Sequence, residues 1–143
     1  MRVIVFVKAT EDSEAGVKAD PETREMFEAM GKFNEELVNA GVMQMAEGLQ
    51  PSSEGKRIAF DGPRRRVVDG PFAESRELVA GFWIWEVKDM AEAVAWAKRC
   101  PNPMAGPSEL EIRRISTTDD LKGLMTDDQI AQEDALRARV EKR

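Results

Sequence analysis

Two short segments of the chain are apolar at consecutive positions rather than at alternate ones. Val3 to Val7 is a run of β-branched and aromatic residues, and Phe82 to Val87 contains two tryptophans and one charged residue. Because neighbouring side chains of a strand point to opposite faces, both segments predict strands that are apolar on both faces. Such strands lie inside a sheet that is covered above and below.

A helical pattern lies between these two strands. Apolar residues recur at three- and four-residue spacing among charged ones, at Met26, Met30, Phe33 and Leu37. Aspartate is favoured just before a helix and proline suits its first position, so Asp20-Pro21 indicates where the helix begins. The pattern predicts an amphipathic helix that ends at Gly41.

Weaker patterns predict the intervening segments. Thr10 to Ala19 is polar and predicts a loop, whereas Val42 to Leu49 predicts a further strand. Arg57–Phe60 and Arg65–Asp69 flank Asp61-Gly62, a dipeptide typical of tight hairpin turns. We therefore expect these two segments to pair as an antiparallel hairpin.

A second helix and a last strand follow. Asp89 and Glu92 have the spacing of an N-terminal capping box, which predicts a helix that ends at Pro101. After a proline-rich loop, 110–115 predicts a strand with alternating apolar and charged residues. Residues 127 to about 142 predict a helix with too few large apolar residues to fold alone.

The order strand, helix, strands, helix, strand predicts an α+β fold of the ferredoxin-like sandwich type. A β-hairpin is inserted before the third core strand, and a helical tail follows the domain. Two helices can cover only one face of such a sheet. The other face would expose either Trp83, Trp85 and Val87 or Phe82 and Ile84 to water. We therefore expect a homodimer in which two sheets pack face to face.

Length and composition indicate one domain, residues 1–116, and a charged tail, residues 117–143. The 21 basic and 27 acidic residues give a net charge of −6, which argues against a nucleic-acid partner. The cluster Arg64–Arg66 has no interleaved aromatic residues and is interpreted as solvated hairpin residues.

The apolar runs and the cysteine content indicate where in the cell the protein is located. No run approaches the roughly 20 residues needed to cross a bilayer, so we expect no membrane insertion. The N-terminal apolar run has the length of a strand rather than of a signal-peptide core, and the chain has one cysteine. Both observations favour a cytoplasmic protein.

The absence of histidine removes the side chain that most often transfers protons near neutral pH. Cys100 lies at the predicted end of a helix, where the helix dipole disfavours a thiolate, so a nucleophilic role is not expected. Neither a spaced acidic calcium loop nor a glycine-rich phosphate loop is present in the sequence. We expect neither a metal ion nor another cofactor.

Asp69 and Glu74 are the leading candidates for chemistry, because they flank the Gly70-Pro71 turn that leads to the tryptophan strand. As a general base, Asp69 would need a carboxyl pKa raised by about 2 to 3 units. In the alternative interpretation, Asp69 accepts hydrogen bonds from the backbone of its own turn and Glu74 caps the next segment.

Two further groups of residues are candidates for ligand binding. Glu111 and Arg113 alternate with the apolar residues of the last strand, so they either face a cavity between subunits or face solvent. An arginine in such a cavity would suit a small anionic organic ligand. Phe72, Trp83 and Trp85 either line an apolar pocket or belong to the core or interface.

Five segments together carry a family resemblance. They are Gly48–Pro51, Asp69-Gly70-Pro71-Phe72-Ala73-Glu74, Gly81–Val87, Glu92–Ala97 and Glu109–Arg113. Up to about Ile115, the chain resembles the YCII-related family, in its DGPF-motif branch. The resemblance implies a dimeric α+β barrel of ferredoxin-like subunits.

The resemblance implies less about function. Most such proteins are uncharacterised, some are associated with sigma-factor genes, and related branches are proposed to be small-molecule enzymes that use a histidine and an aspartate. The histidine has no counterpart in this chain, and only Asp69 matches the pair in part.

Two hypotheses about function follow. In the first, the protein is a homodimeric module that binds a small organic ligand or a protein partner in a cleft between the two sheets. In the second, it is an isomerase or lyase for a small carboxylate or lactone, with Asp69 as the base and Arg113 binding the anionic group.

Overall fold

The computed structural model describes the backbone of residues 1–143 and the side chains of all of them except Arg76. The strands are β1 (Arg2–Lys8), β2 (Met43–Gly48), β3 (Lys56–Asp61), β4 (Arg64–Asp69), β5 (Val79–Glu86) and β6 (Leu110–Arg114). The α-helices are α1 (Glu11–Glu14), α2 (Pro21–Asn39), α3 (Met90–Arg99) and α4 (Asp127–Glu141). The protein is therefore a mixed α+β protein with antiparallel sheets and a C-terminal helix.

Four strands form one antiparallel sheet in the order β2-β5-β1-β6. The two central strands, β1 and β5, are the two segments with consecutive apolar residues, as the sequence predicts. Val3 lies opposite Trp85 and Val5 opposite Trp83. These four side chains therefore share one face of the sheet.

The core lies on that face, beneath α2 and α3. The ring of Phe33 on α2 contacts Trp83 and Trp85 edge-on, with centroids 6.1 and 6.4 Å apart. Trp96 on α3 lies 6.5 Å from the same ring. Leu37 of α2 joins the same buried cluster. Burial of each such side chain contributes about 1.5–3 kcal/mol, so this cluster fixes the helices on the sheet.

We call the opposite face of the sheet the open face. It carries Ile4, Phe6, Phe82 and Ile84. Ile4 pairs with Ile84 and Phe6 with Phe82, so the four residues form one apolar patch. All four are only half-buried in the single chain. The sequence did not decide whether the tryptophans of β5 or Phe82 and Ile84 face the helices. The structure places the tryptophans on the helix side and Phe82 and Ile84 on the open face.

The ends of α2 follow from local hydrogen bonds. The Asp20 carboxylate accepts the Thr23 N–H at 2.8 Å, which lowers the pKa of Asp20, and Pro21 occupies the first helical position. After the helix, Gly41 adopts φ +72°, and the Val42 N–H donates to the Leu37 carbonyl. This arrangement is a Schellman motif, so the predicted stop at Gly41 is confirmed.

The capping of α3 differs in one detail from the predicted capping box. The Asp89 carboxylate accepts the Glu92 N–H at 2.9 Å, as expected. However, the Glu92 carboxylate accepts the N–H of Lys88 rather than that of Asp89. The side chain reaches one residue further back, and the helix still ends before Pro101.

Strands β3 and β4 form a separate two-stranded sheet. The predicted hairpin is confirmed, but its turn residues are Gly62 and Pro63, because Asp61 still pairs with Arg64. Gly62 has φ +56°, a conformation that glycine adopts without strain. On one face of this hairpin, Ile58, Phe60 and Val67 are exposed.

The chain is also helical before α2 and in the tail. Part of the predicted loop before α2 forms the single-turn helix α1, capped by Thr10. Arg114, at the end of β6, donates two hydrogen bonds to Asp120 in the tail, and these lower the pKa of that carboxyl. Helix α4 exposes Leu136 and Val140. Within the described residues, none of the helices has the length and apolar composition needed to cross a bilayer.

Candidate functional site

A cleft with a volume of about 1240 Å³ lies between the N-terminal half of α2 and the helix side of the sheet. We call it the α2 cleft. The end of β2 and the beginning of β5 form one side, and the segments 12–18 and 102–105 form the others. The cleft therefore brings together five segments of the chain.

The floor of the α2 cleft is apolar. Trp83 is buried there, and its indole N–H donates to the Asn34 Oδ1 at 2.8 Å. Met26 and Met30 project from α2, and Met104 lines the other side. Methionine side chains adapt their shape to irregular surfaces, so this floor can accommodate apolar groups of ligands that differ in shape.

A hydrogen-bonded chain connects the α2 cleft to the Asp69–Glu74 hexapeptide. Glu14, at the end of α1, lines the cleft and accepts the Ser52 N–H at 2.8 Å and the Ser52 hydroxyl. The same hydroxyl oxygen accepts the Phe72 N–H at 3.0 Å. The hexapeptide therefore contributes to the cleft indirectly, by holding Ser52 against Glu14.

Gly70 is the point of closest approach in this connection. Its N–H donates to the Gly55 carbonyl at 3.0 Å, and a Cβ atom at this position would lie 1.7 Å from the Ser52 carbonyl oxygen. The Gly70-Pro71 peptide bond is cis. Only glycine fits at this position, because the neighbouring atom belongs to the backbone.

Asp69 lies on the hairpin and does not line the α2 cleft. Its carboxylate is 73% exposed and forms an ion pair with Lys56 on the opposite strand. The structure therefore shows Asp69 in a cross-strand ion pair, which neither of the two interpretations from sequence included.

Phe72 and Glu74 follow Asp69 in the hexapeptide. Phe72 is half-buried, and the Arg57 guanidinium lies 3.8 Å from its ring centroid. Glu74 is exposed, and its backbone carbonyl accepts the Glu77 N–H. Both residues thus lie at the junction of the hairpin and β5.

The two tryptophans of β5 differ in their access to the cleft. Trp83 lines the α2 cleft, whereas Trp85 has no exposed surface and packs against Phe33. Among the described side chains, the Trp85 indole N–H is a buried donor without a hydrogen-bond partner. The role visible for Trp85 is packing in the core.

Glu111 and Arg113 lie on the other side of the sheet. Leu110 and Ile112 pack against the core, so the alternate residues of β6 project from the open face. Glu111 is 3.7 Å from the Lys8 ammonium. The sheet therefore separates Glu111 and Arg113 from the α2 cleft, and the predicted site residues form three groups rather than one.

Several residues of the cleft were not identified from the sequence. Met26 and Met30 were recognised as part of a helical stripe, which indicates a core as readily as a binding surface. Glu14 and Ser52 are 38 residues apart and carry no motif, so only the fold brings them together. Asn34 lies four residues after Met30 on the same helix, but its partner Trp83 is 49 residues away and no motif connects the two.

The remaining reactive groups offer little for catalysis. Burial raises the pKa of the Cys100 thiol to about 11, so the nucleophilic thiolate is scarce near neutral pH. Among the described residues, no three Asp, Glu or Cys side chains converge in the manner of a metal site.

Comparison with known proteins identifies the domain. The model of the YCII-related domain matches residues 1–116, which include the whole four-stranded sheet and the hexapeptide. The chain belongs to the YCII-related family. The YCII-related domain ends where the tail begins, so α4 lies outside it.

The chain is also similar to a curated relative. An uncharacterized protein of Rhizobium meliloti (strain 1021) is 23% identical over 95 residues, which are 66% of this chain and 77% of that protein. This likeness agrees with the family and adds no activity.

Proposed function

We propose that this YCII-related protein is a homodimer whose subunits each bind a small organic molecule in the α2 cleft. The observation that carries the proposal is the cleft itself, with its apolar floor of Trp83, Met26 and Met30. Ligand sites are concave, mostly apolar and supplied with a few polar groups. Glu14 supplies such a group in this cleft, because Ser52 holds its carboxylate in a fixed position.

The open face supports the homodimer. The strand order and the two helices on one side support a ferredoxin-like sandwich with an inserted hairpin. Two such sheets packed face to face would cover Ile4, Phe6, Phe82 and Ile84 and form a dimeric α+β barrel. The hexapeptide supports a place in the DGPF-motif branch. A cytoplasmic location remains a prediction from the sequence.

The predicted site residues take different roles in this proposal. Trp83 forms the floor, and Phe72 helps to hold Ser52 and Glu14 in position. In the dimer, Glu111 and Arg113 would face the space between the sheets, where the sequence predicts an anionic ligand. We favour the α2 cleft as the main site because it is formed within one subunit.

The alternative hypothesis of an isomerase or lyase has no comparable support. Asp69 is exposed and paired with Lys56, so it lacks the burial that prepares a carboxylate to act as a base. Arg113 lies on the open face, whereas Asp69 lies on the separate hairpin.

Ligand binding in the α2 cleft is testable with an uncharged apolar dye, N-phenylnaphthylamine, excited where tryptophan does not absorb. We expect saturable binding to the native protein. Met26→Trp, which fills the cleft, should weaken binding at least about tenfold, because the large side chain occupies the space of the dye. Met104→Trp on the opposite wall should act in the same way.

Val38→Trp is the matched control, since Val38 is exposed on the same helix and does not line the cleft. Circular dichroism and thermal unfolding establish that each variant is folded. If the dye binds equally well to both cleft-filling variants and to the native protein, the α2 cleft is not the binding site.

A further inference from the structure

The charged side chains around the α2 cleft are mainly acidic. Five carboxylates line it from α1, from the beginning of α2 and from the neighbouring segments, namely Asp12, Glu14, Asp20, Glu22 and Glu54. Among the described residues, Lys18 is the one basic residue of the lining. Glu47 is also part of the lining, but it pairs with Phe82 and so its side chain belongs to the open face. The polar border of the cleft therefore carries a negative charge.

Among the described side chains, the carboxylates at the cleft belong to those without an ion pair. Eight carboxylates outside the cleft form ion pairs, among them Glu36 with Arg99 and Asp120 with Arg114. Among the described side chains, none of the five at the cleft has a basic partner within 4.0 Å. Their charge at the border of the cleft is therefore not neutralised by an ion pair.

The five carboxylates have different structural roles. Glu14 and Asp20 accept hydrogen bonds from Ser52 and from the Thr23 N–H, respectively. Asp12, Glu22 and Glu54 are exposed. These three do not hold the fold together by any contact described, so they are available to a ligand and can be changed without loss of a cap.

We propose that the ligand of the α2 cleft is an organic cation, an amine with an apolar body, rather than an anion. This inference rests on the proposed function and specifies its ligand class. The apolar body lies on the floor formed by Trp83, Met26 and Met30, and the ammonium group lies at the acidic border. Unpaired carboxylates around a concave surface attract cations and repel anions.

Three probes with one carbon skeleton separate charge from apolar contact: phenylbutylamine, phenylbutanol and phenylbutanoate. Calorimetry on the full-length protein at low ionic strength measures each dissociation constant. We expect the amine to bind about three- to tenfold more tightly than the alcohol, because exposed charge pairs are individually weak. The carboxylate should bind most weakly of the three. Added salt should reduce the advantage of the amine, since it screens exposed charges.

A charge-neutral variant tests the acidic border directly. Asp12→Asn, Glu22→Gln and Glu54→Gln combined should remove the advantage of the amine and leave the affinity for the alcohol unchanged. The matched control is Glu25→Gln, Glu35→Gln and Asp128→Asn combined, which changes net charge equally at exposed positions outside the cleft lining. The control variant should bind the amine like the native protein.

The outcomes distinguish this inference from the proposed function. If the alcohol or the carboxylate binds as tightly as the amine, and Met26→Trp weakens their binding, the cleft is a ligand site but not one for cations. If all three probes fail to bind, or bind regardless of Met26→Trp, both proposals are wrong. An equal loss of amine binding in the two charge variants would also overturn the cationic ligand, because only net charge would then matter.

Discussion

Gly70 is the residue at which the hexapeptide meets the segment before the hairpin. A Cβ atom there would lie 1.7 Å from the Ser52 carbonyl oxygen and 3.3 Å from the Gly55 oxygen. Both atoms belong to the backbone, so the clash can be relieved only by moving chain segments. We predict that Gly70→Ala lowers the free energy of unfolding by about 1–3 kcal/mol or more, as overpacking does. Urea denaturation measures this change.

Gly31 provides the opposite control, since it lies within α2 and has nothing within 4 Å of an added Cβ. Alanine favours a helix interior over glycine, so Gly31→Ala should raise the free energy of unfolding by up to about 1 kcal/mol. A Gly70→Ala protein as stable as the native one would show that the backbone around Ser52 is not tightly fixed.

The structural roles of single residues were predictable where their hydrogen-bond partners are close in sequence. Asp20, Gly41 and Asp89 take the roles that their positions indicate, because caps involve residues three to five apart. Asp69 and Glu14 bind partners 13 and 38 residues away. Their roles depend on the hairpin pairing and on loop packing, which residue type and spacing alone do not specify.

The tail is an element that the domain should not need. No residue of α4 is buried, and Leu136 and Val140 are 53% and 63% exposed. We predict that residues 1–116 alone fold with a free energy of unfolding within about 2 kcal/mol of the full chain, because little apolar surface is lost. Urea denaturation tests this, and circular dichroism should show the loss of the 15-residue helix.

The full-length protein is the reference for this truncation, and sedimentation velocity compares the two oligomeric states. An unfolded or aggregated 1–116 chain would mean that the tail belongs to the folding unit. A folded 1–116 monomer, where the full chain is a dimer, would instead mean that the tail contacts the partner subunit.

Elements were predictable where the apolar pattern is long. The strands of the main sheet and helices α2, α3 and α4 lie within a few residues of their predicted bounds, since each has either a periodic pattern or clear end signals. Helix α1 was missed because four residues in a polar segment carry no periodicity. The turn of the hairpin shifted by one residue, because Pro63 rather than Asp61 accompanies Gly62 in the turn.

At the scale of the molecule, the sequence predicts what must be covered but not how the surfaces are shaped. Two-sided strands and two helices imply one covered and one open face, and the structure shows which residues lie on each. The α2 cleft was not predictable, because its lining comes from segments as distant as Asp12 and Met104. A concave surface depends on how loops pack over the sheet, whereas periodicity reports only on single elements.

The open face gives the last prediction, which concerns the oligomeric state. Phe6 lies in the apolar patch next to Phe82 and is half-buried in the single chain. A stable dimer would cover about 800 Å² of each subunit, and a carboxylate buried there without a partner is strongly unfavourable. We therefore predict that the native protein is a dimer at micromolar concentration and that Phe6→Glu is a folded monomer. In the monomer the new carboxylate can still reach water at the half-buried position. Phe60→Glu introduces the same change on the hairpin, where Phe60 is 72% exposed, and should remain a dimer. Sedimentation velocity measures all three proteins, with circular dichroism to establish folding. A monomeric native protein, or a dimeric Phe6→Glu variant, would mean that the sheet faces do not form the subunit interface.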